Sequence, residues 1–243
     1  MKKIIFTFLF CTLSFWSGFT QNQGEAIYRI KPVTNLDSIF SDIKGDNKIM
    51  MINSQKKLND FIKTQTFKLK FKNGISHFKM EDRLESDNEI ANFKFFNSIY
   101  PENYYNHLKK TNFYIIKGFN RNGYLVMNSA NDLNIVLKDD SYNKIINGYN
   151  CSLAIMSFSS ENSTYDYKVW YSKEINVPYG PSIYNGLPGL VVQVKEPSGT
   201  LFELKSLNFS KQNDIIVNET LVKITEEEFN KIVKESLGKF KPN

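Results

Sequence analysis

Thiol and imidazole side chains are scarce in this chain, which has two cysteines and two histidines among 243 residues. Cys11 lies inside the apolar leader described below, so Cys151 would be the single thiol of the exported chain. One thiol cannot form a disulfide within the chain. Zinc sites usually take several nitrogen or sulfur donors, and neither His77 nor His107 has a histidine, cysteine or acid at a metal-ligand spacing. The sequence therefore predicts no internal disulfide, no metal and no cofactor.

Long apolar runs are absent after the first residues. The chain begins with Lys2 and Lys3, and mostly apolar residues follow as far as Trp16, a pattern typical of a secretory signal peptide. This run is too short to span a bilayer comfortably. Small side chains near Thr20 favour cleavage there, so we predict a signal peptide at residues 1–20 and one mature domain at residues 21–243. We expect an exported protein, periplasmic or extracellular, with no membrane span.

A strong excess of one charge is also lacking. The formal net charge is +6, and loss of Lys2 and Lys3 with the leader would lower it to +4, which is too small to predict nucleic-acid binding. Many of the lysines are concentrated in one region: Lys56, Lys57, Lys63, Lys68, Lys70, Lys72 and Lys79. Two interpretations remain open. The region could meet anionic lipopolysaccharide or an acidic partner, or it could be the solvated face of a strand or a protected edge.

Recognisable catalytic motifs are missing as well. The chain has no Gly-x-Ser-x-Gly elbow of a serine hydrolase and no Gly-Lys-Ser/Thr ending of a P-loop. The acids at Glu81-Asp82 and Asp139-Asp140 are typical of solvated turns. Cys151 allows three interpretations: a buried apolar residue, an intermolecular disulfide or a reactive nucleophile. Its apolar neighbours favour the first, and the sequence predicts no catalytic residue.

Short, aromatic-rich strands are what the sequence does contain. Residues 66–80 alternate between apolar and polar on either side of Asn73-Gly74, which predicts a β-hairpin. Phe67, Leu69 and Phe71 would share its buried face, because alternate side chains of a strand point the same way.

The remaining pattern predicts the fold class. Further closely spaced short strands, including one at residues 214–218, favour antiparallel pairing, because parallel strands need long crossovers. Thr225 and Glu228 form a capping box at the start of a C-terminal helix. We predict a short helix at residues 54–62 and a loop with helical turns at residues 84–110. The expected fold is mainly β, a β-rich α+β chain with a curved antiparallel sheet, or an open barrel or bowl, and a C-terminal helix.

Glycine and proline are concentrated in one turn that runs directly into an apolar strand. Its core is Gly186-Leu187-Pro188-Gly189-Leu190-Val191. Glycines in such a turn supply positive φ angles or allow a close backbone approach, and Pro188 fixes the chain between them. A ligand or partner surface is the alternative interpretation of the same turn. A phosphate cradle is not favoured, because the turn precedes a strand and not a helix.

The turn also resembles a known family. With Val for the final Ile, it is similar to the hexapeptide that names the GLPGLI family of exported Bacteroidetes proteins. Two earlier blocks, Gly148-Tyr149-Asn150-Cys151 and Trp170-Tyr171 ahead of Glu174-Ile175, are similar to further segments of that family. The resemblance covers residues 143–208. It implies export from a bacterial cell but no particular reaction, since the family has no established activity.

Three hypotheses about function follow. The first is a non-enzymatic binding or carrier protein of the cell envelope, which holds an apolar ligand or an envelope protein on a curved sheet. Aromatic residues beside a rigid turn are good binding anchors, so its candidate site is Trp170, Tyr171, Tyr179, Tyr184, Gly186, Leu187, Pro188 and Gly189. The second is an envelope hydrolase acting on peptide or glycan through Cys151 or an acid pair. The third is a structural or assembly component that pairs through a sheet edge.

Overall fold

A computed structural model describes residues 22–32, 35–81, 94–117, 123–129, 133–160, 163–218 and 220–238. The predicted signal peptide at residues 1–20 lies outside the described residues. The chain is mostly strand, with few helices. The strands are β1 Gln23–Lys31, β2 Phe67–Lys72, β3 Ile75–Met80, β4 Asn103–Asn106, β5 Thr111–Ile116, β6 Tyr124–Ser129, β7 Leu133–Leu137, β8 Lys144–Ile146, β9 Tyr149–Ser160, β10 Ser163–Ser172, β11 Leu190–Lys195, β12 Leu201–Asn208 and β13 Val222–Thr225.

The strands form one large open sheet in the order β13-β6-β5-β4-β3-β2-β1-β12-β11-β10-β9-β7, and β8 pairs with the start of β9. The mainly β fold with a C-terminal helix is therefore confirmed. The prediction of antiparallel pairing throughout was wrong at one place, because β13 pairs with β6 in parallel. The sheet is accordingly mixed.

The helices are α1 (Leu36–Ile39), α2 (Asp46–Thr64) and α3 (Glu226–Gly238), with a 3-10 turn at Asp140–Tyr142 and helical residues at 94–99. The predicted capping box is confirmed: Thr225 Oγ1 accepts from the Glu228 amide at 3.2 Å, and the Glu228 carboxylate accepts from the Thr225 amide at 2.8 Å. No helix in the described part of the chain is long and apolar enough to cross a membrane.

The predicted hairpin is also confirmed. Asn73 and Gly74 have φ angles of 50° and 83°, as a two-residue hairpin turn requires, and the strands pair in register from Lys72 opposite Ile75 to Phe67 opposite Met80. Phe67, Leu69 and Phe71 are fully buried on one face. Alternation of side chains therefore directs the intervening lysines to the other face of the sheet.

Of three further local predictions, two were correct in part and one was wrong. In the loop with helical turns predicted at residues 84–110, residues 94–99 are helical and residues 84–93 lie outside the described residues, but β4 was not predicted, because its first member Asn103 is a polar residue that propensity does not mark as strand. The helix expected at residues 54–62 extends over the longer range of α2. Residues 214–218 form no strand. This segment lies on the outer face of the sheet, where Lys72 Nζ contacts Asp214 at 2.7 Å and Ile215 packs on a small apolar cluster.

Ring contacts show that the sheet curves around its core. Phe78 of β3 and Phe202 of β12 are three strand positions apart, which is about 14 Å in a flat sheet, yet their ring centroids are 6.3 Å apart. Tyr28 of β1 likewise donates a hydrogen bond to the Val191 carbonyl of β11 at 2.5 Å. The inner face is therefore concave, and Phe67 packs between these rings.

Candidate functional site

The Gly-Pro loop, which we define as residues 175–189, connects β10 to β11 and lies in the main core cluster. Its backbone is tied at both ends, since the Leu190 amide donates to the Ile175 carbonyl at 3.0 Å and the Gly186 amide donates to Pro178 at 2.9 Å. The buried Asn185 side chain joins its middle: Oδ1 accepts from the Gly180 amide at 2.9 Å, and Nδ2 donates to the Ser182 carbonyl at 2.8 Å. The loop is therefore a fixed part of the interior.

Glycine is required in this loop for two different physical reasons. Gly186 has φ of 89°, a conformation that side-chain-bearing residues rarely adopt. Gly189 allows a close approach, because a Cβ there would lie 2.1 Å from the Ser172 carbonyl oxygen. Gly180 likewise allows a close approach, because a Cβ there would lie 2.1 Å from the backbone carbonyl oxygen of Tyr184. The structural interpretation of the turn accounts for both glycines of the motif.

Most of the predicted site residues lie in the interior. Tyr171, Tyr179, Tyr184, Leu187 and Gly189 are buried. Trp170 is half-buried, and Gly186 and Pro188 are exposed. The structure thus brings the loop residues together but leaves little of their aromatic surface open, so a role for them as ligand anchors stays a prediction.

Two of the buried tyrosines show what this interior provides. The Tyr179 ring stacks on Phe71 with centroids 5.4 Å apart, and burial raises the pKa of Tyr179 to about 12. The Tyr184 ring lies between Tyr167 and Phe158, at 5.5 Å and 6.3 Å. Both rings therefore fasten the Gly-Pro loop to the concave face by packing, and both hydroxyls remain protonated at neutral pH.

A partly buried carboxylate, missed by the sequence analysis, binds the same loop. Glu196 accepts from the Tyr184 hydroxyl at 2.8 Å and from the Tyr100 hydroxyl at 2.9 Å. Burial raises the pKa of Glu196, and the hydrogen bonds from the two tyrosines oppose that shift. Because both oxygens already accept hydrogen bonds, the group is satisfied internally, and we assign it a structural role.

Trp170 takes part in a polar network on the outer face. Lys144 Nζ lies 3.5 Å from the Trp170 ring centroid and donates to Gln193 at 3.0 Å. Gln193 donates to Glu203 at 2.9 Å, and Lys31 contacts the same carboxylate at 2.8 Å. Desolvation lowers the pKa of Lys144. The contact of Lys144 with the Trp170 indole ring and the hydrogen bonds through Gln193 to Glu203 indicate that this network connects β8 to β11 and β12.

The single described cysteine is buried. Cys151 is 1% exposed, and burial raises the pKa of its thiol to about 11. Thiolates, not thiols, are nucleophiles, so little reactive species is present near neutral pH. The interpretation of Cys151 as a buried apolar residue fits this position. The Asp139 carboxylate, a member of the other candidate pair, accepts from the Ser141 amide at 3.0 Å as a turn cap.

A charged groove of about 260 Å³ lies on the outer face of β2 and β3, lined by Lys68, Lys70, His77, Lys79 and Glu81. His77 Nε2 lies 2.7 Å from Glu102 Oε1, and this hydrogen bond lowers the pKa of Glu102. Lys68 contacts Glu81 at 2.8 Å. These strands are inside the sheet order, so edge protection does not explain the lysines. The contacts of Lys68 with Glu81 and of His77 with Glu102 fit a solvated charged face, and an anionic partner at these lysines stays a prediction.

β7 is one of the two terminal strands of the sheet and pairs with β9 on one side. The Lys138 amide donates to the Leu153 carbonyl of β9 at 2.9 Å. Because hydrogen bonding alternates along an antiparallel pair, the N–H and C=O groups of Leu133, Ile135 and Leu137 point away from β9. Within the described ranges no strand pairs with this outer side. Leu137 is also 51% exposed.

Together these features define a β-rich protein with one open, curved sheet, a filled concave face and a C-terminal helix. Across the residues that the structure describes, no group of three or more histidine, cysteine, aspartate or glutamate side chains is arranged to hold a metal ion. No family model matches the chain, and no curated protein gives a significant match.

Solved structures do resemble this fold. Two structures of PNGF-II, in the P21 and C2 space groups, match with TM-scores of 0.54 and 0.55 and 16% sequence identity. Each match covers 88% of this chain but 34% and 33% of the PNGF-II chain, so this chain spans about a third of the length of the structures it matches. At this identity the likeness shows the fold alone.

Proposed function

We propose that this protein is an exported, non-enzymatic binding protein of the cell envelope, which binds an extended polypeptide partner at the β7 edge. The leader predicted at residues 1–20 and the resemblance of residues 143–208 to the GLPGLI family support export to the envelope. The observation behind the proposed surface is the apolar edge strand β7, whose outward backbone groups have no described partner.

The sequence of β7 supports strand addition. Edge strands of soluble proteins are usually blunted by lysine, proline or a bulge, whereas β7 reads Leu-Asn-Ile-Val-Leu without charge or proline. An added strand would form hydrogen bonds with the outward groups of Leu133, Ile135 and Leu137. The exposed side chains of Val136 and Leu137, which point to opposite faces, would then contact alternate side chains of the partner.

The filled concave face favours surface binding over carriage of an apolar ligand. Tyr28, Phe67, Phe71, Phe78 and Phe202 are at most 1% exposed and pack against one another and the Gly-Pro loop. An interior ligand would have to displace this packing at a cost of several kcal/mol. The hydrolase alternative has less support, because the Cys151 thiol is buried and its pKa is raised.

The experiment compares two variants at one exposed edge residue. Leu137→Pro removes an outward N–H without disturbing the β9 pairing, and Leu137→Ala keeps that N–H while removing the same exposed side chain. Immobilised wild-type and variant proteins are incubated with detergent extract of the native envelope, and retained proteins are quantified by mass spectrometry. We expect one stoichiometric partner with wild type and Leu137→Ala, and at least a tenfold loss with Leu137→Pro.

Hydrogen exchange on the recovered complex gives the second readout. The amides of Leu133 and Ile135 should exchange rapidly in the free protein and slowly in the complex, because they would donate to the added strand. Equal retention by both variants, or a complex in which these amides remain unprotected, would show that β7 is not the binding edge.

A further inference from the structure

The first half of α2 lies at the surface, where Lys48 Nζ contacts Asp37 of α1 at 3.6 Å. None of residues 46–57 is buried, whereas Phe61 and Ile62 at the other end lie in the core. The Phe61 ring packs on Phe96 with centroids 5.6 Å apart. The helix is therefore anchored at its C-terminal end, and its N-terminal half is presented to the surroundings.

The N-terminal half of α2 carries four consecutive apolar residues, Ile49-Met50-Met51-Ile52, of which the first three are exposed and Ile52 is half-buried. Ile49 is 60% exposed, Met50 is 63% exposed and Met51 is 39% exposed. Exposed apolar patches of this kind mark interaction sites. Asp46, Asn53, Ser54 and Lys57 border Ile49 and Met50 on this surface.

The arrangement of these residues fits lipid better than a protein groove. A helix that docks in a groove uses one apolar stripe at positions i, i+3, i+4 and i+7, but the positions three, four and seven residues after Ile49 and Met50 include Asn53, Ser54, Lys56 and Lys57. Ile49, Met50 and Met51 follow one another at steps of about 100°, so they form a broad apolar patch on the exposed side of the helix. A broad patch of this kind suits a fluid interface, which has no fixed shape to match.

Two lysines lie near the exposed apolar residues of α2. Lys56 and Lys57 are exposed and stand seven residues after Ile49 and Met50, which places them two turns further along the same face of the helix. An interfacial helix lies in the plane of the bilayer surface, so cations on this face would be at the level of the lipid phosphates. Neither lysine has an ion-pair partner among the residues that the structure describes, whereas Asp60 of the same helix already pairs with Lys63 at 3.0 Å.

From this combination we infer that α2 docks the protein on an anionic phospholipid bilayer, with Ile49 and Met50 in the interface and Lys56 and Lys57 against the phosphates. The occupant is a lipid surface because the apolar patch lacks the stripe that a protein groove requires and because Lys56 and Lys57 border it. This membrane contact uses residues that are not part of the β7 edge. The inference about α2 therefore does not depend on whether a partner binds at β7.

The experiment is vesicle co-sedimentation of the exported protein, with its N-terminus determined by mass spectrometry. Vesicles of equal parts phosphatidylglycerol and phosphatidylcholine are compared with pure phosphatidylcholine. The test variant is I49S/M50S and the matched control is L108S/I216S, which removes two exposed apolar side chains elsewhere; Leu108 is 84% and Ile216 is 78% exposed. All proteins share one N-terminus, so differences between them report the substituted residues.

We expect wild type and L108S/I216S to bind the anionic vesicles, and I49S/M50S to lose about 100-fold in partition coefficient, about tenfold for each interfacial side chain. K56A/K57A should lose about 30-fold, and added salt should weaken wild-type binding. Equal binding to both vesicle types, or unchanged binding of I49S/M50S, would overturn the inference. A dimer that I49S/M50S abolishes, in a protein that ignores vesicles, would assign the patch to a second copy and also overturn it.

Discussion

Gly189→Ala gives a sharp test of why the Gly-Pro loop needs its glycines. Gly189 does not have a positive φ, so alanine meets no backbone penalty there, and at a compatible site this change usually stabilises by about 0.4–1 kcal/mol. The cost is therefore steric alone. The added Cβ would lie 2.1 Å from the Ser172 carbonyl oxygen and 2.6 Å from its carbon.

Relief of that contact requires the backbone of β10 and β11 to separate by more than 1 Å, because ordinary contacts begin near about 3.4 Å. Ser172 pairs with Leu190 in the ladder, and the neighbouring Leu190 amide bonds to Ile175 at 3.0 Å. Leu187, which is 1% exposed, would also move. We expect a loss of about 3 kcal/mol or more in the free energy of unfolding, at the upper end for overpacked sites.

Gly148→Ala is the matched control. Gly148 has φ of 86° and nothing within 4 Å of an added Cβ, so the change tests backbone strain alone and should cost about 1–2 kcal/mol. Urea unfolding followed by tryptophan fluorescence measures both. A Gly189→Ala protein within about 0.5 kcal/mol of wild type, or one less affected than Gly148→Ala, would refute the close-approach explanation.

Two further predictions concern titratable groups. Burial raises the pKa of Glu196, so protonation of Glu196 stabilises the folded protein at low pH, and this stability is lost as the pH rises through the raised pKa. Glu196→Gln should therefore flatten the dependence of Tm on pH between about pH 4 and pH 8. Parallel Tm profiles of wild type and variant would contradict this prediction. Burial also raises the pKa of the Cys151 thiol to about 11. Iodoacetamide should therefore alkylate Cys151 after unfolding but not in the native protein. Rapid labelling of the native protein would instead support the hypothesis that Cys151 is a catalytic nucleophile.

Local patterns were sufficient for some elements. The alternation of Phe67, Leu69 and Phe71 with lysine, followed by Asn73-Gly74, fixed one hairpin, because side-chain direction and turn type depend on adjacent residues alone. The capping box at Thr225 is equally local. The sequence did not predict β4, because its polar residues form a strand only through their pairing with β3 and β5. The segment at residues 214–218 has strand-like composition but no neighbouring strand to pair with.

The candidate site shows the same division. The composition of the Gly-Pro loop indicated a rigid turn, and the glycine roles followed from backbone geometry. Its aromatic residues were interpreted as surface anchors because a sequence does not show what covers a loop. In the structure the curved sheet covers them, and Tyr184 binds Glu196 from the next hairpin.

The sequence by itself determined the class of fold, the central hairpin, the start of the last helix and the absence of recognisable catalytic motifs, since each depends on neighbouring residues or on composition. Only the tertiary structure decided that β13 runs parallel to β6, that the Gly-Pro loop lies in the core and that the outer side of β7 and the side chains of Ile49 and Met50 on α2 are exposed. These features depend on contacts between distant segments, because burial is a property of the whole curved sheet and not of any local pattern.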